Sequence, residues 1–147
     1  MGDICCYRGI IMNSGEILTP LAIGDMLLIA ERELGCPAER LKDLISIPDA
    51  ESALHAPFPD PGAPDPFPHP VKKAAICCSR IMRASLFPDA NKRIGFECMC
   101  EMLARADYPW SWDPEELDEI VAMVNRVQAR TISEAEFAAW VYSRVTV

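Results

Sequence analysis

The fold of this chain is decided by residues 71–106, which read VKKAAICCSRIMRASLFPDANKRIGFECMCEMLARA. Apolar residues recur there every three to four positions on both sides of a turn: Val71, Ala74, Ala75, Cys78, Ile81 and Met82 before it, and Ile94, Met99, Met102 and Leu103 after it. This spacing is typical of amphipathic helices and predicts helices over 71–85 and 90–106, with Lys72, Lys73, Arg80 and Arg83 largely on the other faces of the first helix. The pair, joined by the turn SLFPDA, forms the predicted centre of the fold.

Helix signals also precede this central pair. Thr19-Pro20 predicts an N-cap and a first-turn proline for a helix that Gly35 ends. Pro37 opens a second helix, and Pro48-Asp49 opens a short third one. Before them, the apolar piece Ile10–Met12 has the character of an edge strand.

Two further helices follow the central pair. Residues 113–116 combine a cap, a first-turn proline and an acidic first turn. Ser133 and Glu136 form a capping box for a last helix. The sequence therefore predicts an all-α fold with at most a marginal hairpin. It assigns residues 18–147 to a single domain and residues 1–17 to an N-terminal extension, either a marginal strand or disordered.

Residues 57–70 read PFPDPGAPDPFPHP and contain seven of the 13 prolines. Such a run cannot form a helix or a central strand, because proline lacks the backbone N–H and fixes φ. We interpret it as a stiff surface loop inside the domain. The alternative is a proline-rich ligand for an aromatic groove of another protein.

Composition and charge exclude several function classes. The chain has 14 Lys and Arg and 22 Asp and Glu, which gives a net charge of −8. Half of its 147 residues are hydrophobic. An acidic chain lacks the phosphate-neutralising surface of nucleic-acid-binding proteins, and the apolar content excludes global disorder. No apolar run approaches the roughly 20 residues that span a bilayer. We therefore expect a cytoplasmic protein with neither a membrane nor a nucleic acid as its partner.

The seven cysteines support a reducing compartment. Their number is odd, and they lack the two-residue gaps of zinc knuckles, so we interpret those in the central helices as small apolar residues. Gly2 followed by Cys5 and Cys6 leaves a second interpretation open, acylation of the N-terminus, although Cys6 stands where the myristoylation motif has Ser or Thr.

The turn between the central helices carries the chemistry of an anion site. A helix that begins near Ala90 presents free N–H groups and the positive end of its dipole. Lys92 and Arg93 in its first turn are unfavourable for the isolated helix, so a bound phosphate would explain them. Asp89 is placed to hold a Mg²⁺ shared with that phosphate. The alternative is that Asp89 is an N-cap and the two cations are solvated.

The segment FPDANKR is similar to the core motif of the Fic/Doc (Fido) family. Its Doc (death-on-curing) branch reads His-x-Phe-x-Asp-[Gly/Ala]-Asn-Lys-Arg at the turn between two central helices. Lys73-Ala74-Ala75, the segment ARADYPW, the Asp-Pro-Glu-Glu helix and the final Ser-Glu-x-Glu-Phe-Ala-x-Trp helix follow the Doc-like order. The resemblance covers residues 18–145 and implies a Fido-type helical domain with the motif loop between its central helices.

The resemblance also implies roles for the motif residues. Asp89 would bind Mg²⁺, Asn91 and the backbone amides around Ala90 would form an anion hole, and Arg93 would hold a phosphate of ATP. Lys92 marks the branch whose members phosphorylate elongation factor Tu as toxins controlled by an antitoxin. The implied function is a nucleotide-dependent protein phosphotransferase.

One position departs from that pattern. Ser85 stands where the motif has its histidine, the general base that deprotonates the acceptor hydroxyl. Loss of a positioned base costs about 10²–10⁴ in rate, so we expect a degenerate or disarmed active site. His69, in the proline-rich loop, is a candidate substitute base, whereas His55 at a helix end is interpreted as structural. Ile94 also replaces the small polar residue, often threonine, of Doc-like motifs.

Two other classes of function stay open. One is a non-catalytic module that binds a nucleotide or a peptide in the same place. The other is a repurposed enzyme for a small metabolite, in which Ser85 or a cysteine takes a new role. The cysteine version would require Cys78 or Cys98 to be exposed with a lowered pKa. Trp110 and Trp112 can be a base-stacking platform, but packing in the core or at its rim is our interpretation.

Overall fold

The computed structural model describes residues 18–146, which form seven α-helices and no strand. In chain order they are α1 Ile23–Leu34, α2 Ala38–Leu44, α3 Ile47–His55, α4 Pro70–Ala84, α5 Asn91–Arg105, α6 Leu117–Gln128 and α7 Glu134–Val145, with a 3-10 turn at Pro114–Glu116. The predicted all-α class is confirmed. The predicted strand at Ile10–Met12, the extension 1–17 and the acylation candidates Gly2, Cys5 and Cys6 lie outside the described residues. Within 18–146, no helix has the length and apolar character needed to cross a membrane.

The central pair of helices is buried on most of its surface. α4 packs against α5, α3 and α7, and α5 also packs against α1 and α6. Their backbones approach closely at Gly95, where a Cβ atom would lie 2.9 Å from the carbonyl oxygen of Cys78. Cys77 and Cys98 are fully buried in this interface, so the interpretation of the central cysteines as small apolar residues is confirmed.

The first helix begins later than predicted. The N-cap of α1 is Ala22 and not Thr19, because the Asp25 carboxylate accepts a hydrogen bond from the Ala22 N–H at 3.1 Å and fixes the first turn there. The predicted end is confirmed. Gly35 adopts a left-handed conformation, φ 65°, that favours glycine, and its N–H donates to the Glu31 carbonyl.

The starts of the other helices follow their capping signals. Ser46 caps α3 by accepting from the Asp49 N–H, so α3 begins at Ile47, one residue before the predicted start at Pro48. The capping box of α7 forms between Ser133 and Glu136, with hydrogen bonds of 3.0 and 3.2 Å. The acidic segment 113–116 opens as a 3-10 turn before α6 rather than as part of the α-helix.

The proline-rich segment is a loop, as predicted, and it is not a continuous polyproline helix. Asp60 and Ala63 close a tight turn with a 2.9 Å hydrogen bond, and Gly62 within it has φ 79°. Lys73 holds the loop against α4: its ammonium donates to the carbonyl oxygens of Pro57 and Phe67 and forms an ion pair with Asp65.

The placement of Lys73 corrects a sequence expectation. The sequence pattern put Lys73 largely off the apolar face of the central helix, yet only 6% of its surface is exposed. A buried ammonium is stable only when it is paired and hydrogen-bonded, and the loop supplies both kinds of partner. Local periodicity could not show this, because the partners come from residues 57–67.

Candidate functional site

A groove of about 590 Å³ lies between the N-terminal end of α5 and one face of α6. Its lining consists of the motif loop and the start of α5 on one side and α6 on the other: Pro88, Asp89, Ala90, Asn91, Lys92, Arg93 and Phe96, then Leu117, Ile120, Val121, Val124, Asn125 and Gln128. Five of the six predicted site residues, those at 89–93, therefore meet on one groove. Ser85 lies outside its lining.

The turn into α5 is made by Ala90, which has φ 61°. This left-handed conformation favours glycine and costs a residue with a Cβ about 1–2 kcal/mol, and strain of this kind concentrates at functional sites. Ala90 is also the N-cap of α5 and provides no side-chain acceptor, so the first N–H groups of the helix are left uncapped on the groove. This arrangement is suited to an anion.

The Asn91 side chain holds the motif loop in place. Its Oδ1 accepts from the Phe87 N–H at 3.0 Å, and its Nδ2 donates to the Phe87 carbonyl at 2.8 Å. Phe87 itself is buried. Because both ends of the amide are engaged, the part of Asn91 that can face an anion is its backbone N–H, and the side chain shapes the loop that presents it.

Asp89 is exposed on the rim of the groove and is not the N-cap of the helix. Its Oδ1 accepts a 2.7 Å hydrogen bond from the adjacent Ala90 N–H, which turns the carboxylate toward the loop. Mg²⁺ takes few protein ligands and completes its shell with water and phosphate oxygens, so one exposed carboxylate beside an anion site fits it. The described residues hold no cluster of three or more His, Cys, Asp or Glu side chains that could bind a metal ion.

Two cations border the groove, and each has a partner on a neighbouring helix. Lys92 Nζ donates to Asn125 Oδ1 of α6 at 3.0 Å. Arg93 Nη1 forms an ion pair with Glu33 Oε2 of α1 at 3.0 Å, and 55% of the Arg93 side chain stays exposed. The hydrogen bond to Glu33 raises the pKa of Arg93 further above its usual value, so its charge is permanent.

The α6 side of the groove is apolar, and sequence reasoning did not assign it to the site. Ile120 and Val124 are buried, Leu117 is half-buried, and 49% of the Val121 surface is exposed. The signal was present in the sequence, because Val121 adds an apolar residue beside the stripe that packs into the core. Val121 could be assigned to the site only once the packing of α6 opposite the start of α5 was known.

An aromatic cluster surrounds Phe96, which belongs to the α5 side of the groove. Phe96 lines the groove and contacts Trp110 and Trp112, with ring centroids 5.7 and 5.4 Å apart, and Trp110 packs on Trp140 at 5.6 Å. Trp110 is 8% exposed. The interpretation of the two tryptophans as core or rim packing is confirmed.

Ser85 and His69 lie at opposite ends of α4. Ser85 is the exposed C-cap with φ 48°, and His69 is the N-cap, whose Nδ1 accepts from the Val71 N–H at 3.2 Å. The 15-residue helix separates them by about 22 Å. His69 also packs against Tyr108 and Tyr142, so the hypothesis that it replaces the base at position 85 is wrong.

The cysteine version of the repurposed metabolite enzyme is contradicted. Cys78 and Cys98 are fully buried, and burial raises the pKa of both thiols well above its usual value. A neutral, inaccessible thiol is not a nucleophile.

A pair of carboxyl groups beside Arg93 was missed by the sequence reasoning. Glu97 lies one turn after Arg93 on α5 and is 8% exposed, and Glu33 of α1 forms the ion pair with Arg93. Burial, together with the neighbouring Glu33 carboxyl group, raises the pKa of Glu97 to about 8. Burial opposes ionisation of Glu33, but the side chains of Glu97 and Arg93 outweigh it and lower its pKa. The available signal was a charged residue within the apolar sequence of α5.

Comparison of the chain with protein-family models, with curated proteins and with solved structures finds no match.

Proposed function

We propose that this protein binds a nucleotide with Mg²⁺ in the groove between α5 and α6, on a Doc-like phosphotransferase scaffold whose catalytic base is missing. The observation that carries this proposal is the division of one groove into a cationic, amide-lined end and an apolar wall. A nucleotide has the same division, a charged phosphate chain joined to a flat base.

The phosphate end combines three favourable features. The uncapped start of α5 supplies N–H groups, and Lys92 and Arg93 supply positive charge beside them. The chain carries a net charge of −8, so the two cations at this helix start are not explained by a generally basic surface. Asp89 would hold the Mg²⁺, which would neutralise phosphate charge and orient the transferred group.

The apolar end is suited to the rest of the ligand. A volume of about 590 Å³ lies within the range of small-molecule sites, about 300–1,000 Å³. The exposed Val121 and the half-buried Leu117 provide apolar surface, and Asn125 and Gln128 provide amide groups for orientation. The nucleoside would lie along this wall while its phosphates face the start of α5.

The chemistry that we propose is weak or absent phosphoryl transfer. The Ser85 alcohol is too weak a base near neutral pH, so positioning and electrostatic stabilisation would act without proton abstraction. The Doc-like pattern of Lys92 suggests elongation factor Tu or another protein as acceptor, and an antitoxin as regulator. Such a reaction belongs in the cytoplasm.

A second candidate is a non-catalytic module that binds a nucleotide or a peptide. The observation that favours it is Ser85 itself, because no described histidine is placed to replace the motif base. The two candidates share the groove and differ in turnover. Transfer of labelled phosphate from ATP to an acceptor separates them.

Calorimetric titration of Mg·ATP into the wild-type protein and into an Asp89→Ala/Arg93→Ala variant tests the shared claim. We expect saturable binding by the wild type and loss of binding by the variant. Arg40→Ala is the matched control, because it removes an exposed arginine of α2 outside the groove lining. Absence of binding by the wild type, or equal binding by the wild type and the Asp89→Ala/Arg93→Ala variant, would contradict the proposal.

A further inference from the structure

Glu97 is a carboxyl group in an environment that does not suit a charge. It lies on α5, is 8% exposed, and its Oε2 is buried without a hydrogen-bond partner. Ionisation of such a group is costly unless a cation or donors surround it. The groove does not include Glu97, so the proposed nucleotide contacts do not explain it.

The neighbour of Glu97 on α1 is another carboxyl group. Glu33 and Glu97 both lie beside Arg93: Glu33 Oε2 is 3.0 Å from the Arg93 Nη1, and Glu97 is one turn further along α5. Two ionised carboxylates in one partly buried cluster repel each other, and the Glu97 Oε2 has no donor, so Glu97 retains a proton. Ionising both members of a close carboxyl pair brings two negative charges together, so the pair holds one proton over the pH range between its two titrations.

The charged groups around the pair come from two helices. Arg32 and Glu33 act on Glu97 from α1, and Arg93 acts on it from one turn earlier in α5. The nearby α5 thiols, Cys98 and Cys100, stay neutral because burial raises their pKa. Arg93 is therefore the cation that connects this pair to the groove.

We propose that Glu33 and Glu97, sharing one proton, act as a positioning pair that holds Arg93 at the rim of the groove and sets how readily it turns to a phosphate. This inference rests on the nucleotide site proposed above. Glu33 contacts Arg93 directly, and Glu97 acts on Arg93 by its charge from one turn away and through its neighbour Glu33.

The shared proton determines the charge that competes with the phosphate. With one proton the pair carries a single negative charge, which orients the guanidinium and still allows it to contact a second anion. When the pair loses that proton, two negative charges hold Arg93 and the phosphate competes less well. The affinity for Mg·ATP is therefore expected to fall as the pH rises through the titration of Glu97, about pH 8.

The test compares the wild type with Glu97→Gln. Glutamine keeps a donor group beside Glu33 but cannot titrate. Between about pH 7.5 and 9.5, where ATP is fully ionised, we expect the wild-type Kd to weaken about two- to fivefold, the size of one exposed ion pair, and that of the variant to stay constant. Glu101→Gln is the matched control: Glu101 lies one turn further along α5, is equally buried and pairs with Arg105. It should keep the wild-type profile.

A second readout does not require nucleotide. The Arg93 Nε–H resonance, followed by NMR in the free protein, should shift with an apparent pKa near 8 in the wild type and in Glu101→Gln, and not in Glu97→Gln. An Arg93 signal with the same pH profile in wild type and Glu97→Gln would overturn the inference, whether or not ATP binds. Failure of ATP to bind while the Arg93 signal titrates as expected would refute the proposed function alone.

Discussion

At the scale of single residues, some side chains of the motif loop and the first turn of α5 stabilise the loop, and others face the groove. Asn91 binds the backbone of Phe87 at both of its N–H and C=O groups. Lys92 and Arg93 extend toward partners on α6 and α1 and keep positive charge at the groove. The sequence assigned all three residues to one anion site, and they line one groove. The partner of the Asn91 amide depends on the path of the loop, which residue spacing does not encode.

Asn91→Ala is expected to destabilise the protein by about 1–3 kcal/mol, because it leaves the N–H and C=O of buried Phe87 without their partners. Chemical denaturation measures this difference. Asn125→Ala is the control, since Asn125 is exposed and bonds to the exposed Lys92, and it should change the free energy of unfolding by less than about 0.5 kcal/mol. Equal stability of Asn91→Ala and wild type would refute the role of Asn91 in the loop.

On the proposed phosphotransferase scaffold, Ser85→His would supply the histidine base of the motif, and we expect it to raise phosphate transfer from Mg·ATP to the proposed acceptor, elongation factor Tu, by about 10²–10⁴-fold. Histidine is among the residues that tolerate the left-handed backbone of this position. The ATP Kd should stay near the wild-type value, because position 85 lies outside the groove lining. A Ser85→His variant that binds ATP and remains as inactive as Ser85→Ala would favour the non-catalytic candidate.

At the scale of helices, the packed α4–α5 pair fixes both ends of the motif loop, which joins Ala84 to Asn91. Their apolar periodicity predicted both helices within one or two residues, because each buries most of its surface and the pattern reports burial directly. The start of α1 and the burial of Lys73 were mispredicted. The first depends on a hydrogen bond to Asp25 and the second on three partners in the proline-rich loop, and a periodicity argument weighs neither.

Gly95→Ala tests how closely α4 and α5 approach each other. The new methyl group would lie 2.9 Å from the Cys78 carbonyl oxygen, which belongs to helix backbone and cannot move alone. We expect a loss of about 1–3 kcal/mol in the free energy of unfolding. Gly24→Ala in α1 meets no atom within 4 Å and is expected to be neutral or to stabilise by up to about 1 kcal/mol. Similar denaturation midpoints for the two variants would contradict the packing.

Lys73→Met tests the attachment of the proline-rich loop to α4. It removes the donor to Pro57 and Phe67 and the partner of Asp65, so we expect a loss of about 1–3 kcal/mol and faster cleavage in the loop by an Asp-specific protease. The neighbouring Lys72 is exposed, and Lys72→Met should resemble wild type in both assays. Equal cleavage of the two variants would show that Lys73 does not hold the loop.

At the scale of the whole molecule, one hydrophobic core joins all seven helices of residues 18–146 and leaves the groove on its surface. The all-α class and the meeting of residues 89–93 could be predicted, since both follow from local pattern and a short motif. The apolar wall of α6 and the Glu33–Glu97 pair could not, because each arises from helices far apart in sequence. Their identification required the packing of α1 and α6 on α5.

The raised pKa of Glu97 predicts the sign of a pH effect on global stability. Its usual value is 4.5 and its folded value is about 8, so the folded state binds more protons than the unfolded state between these limits. This group therefore lowers the free energy of unfolding as the pH rises from about 4.5 to about 8. Glu33, Asp65 and Glu134 have lowered pKa values and act with the opposite sign, losing stability as the pH falls through their folded pKa values.

Thermal denaturation of wild type and Glu97→Gln at about pH 5 and pH 8.5 measures the contribution of Glu97. We expect the Tm of the variant relative to wild type to be higher at pH 8.5 than at pH 5, because glutamine never carries the buried charge. A constant difference in Tm across this range would mean that Glu97 does not hold a proton in the folded state.

The most direct test of the nucleotide groove is a titration of the ¹⁵N-labelled protein with Mg·ATP, followed by NMR. The account predicts saturable shifts concentrated in the backbone amides of residues 89–93 and in the groove-facing residues of α6, together with a change in the Arg93 Nε–H signal as its pairing with Glu33 is exchanged for phosphate. Shifts confined to other helices, or no saturable shift at millimolar nucleotide, would contradict it.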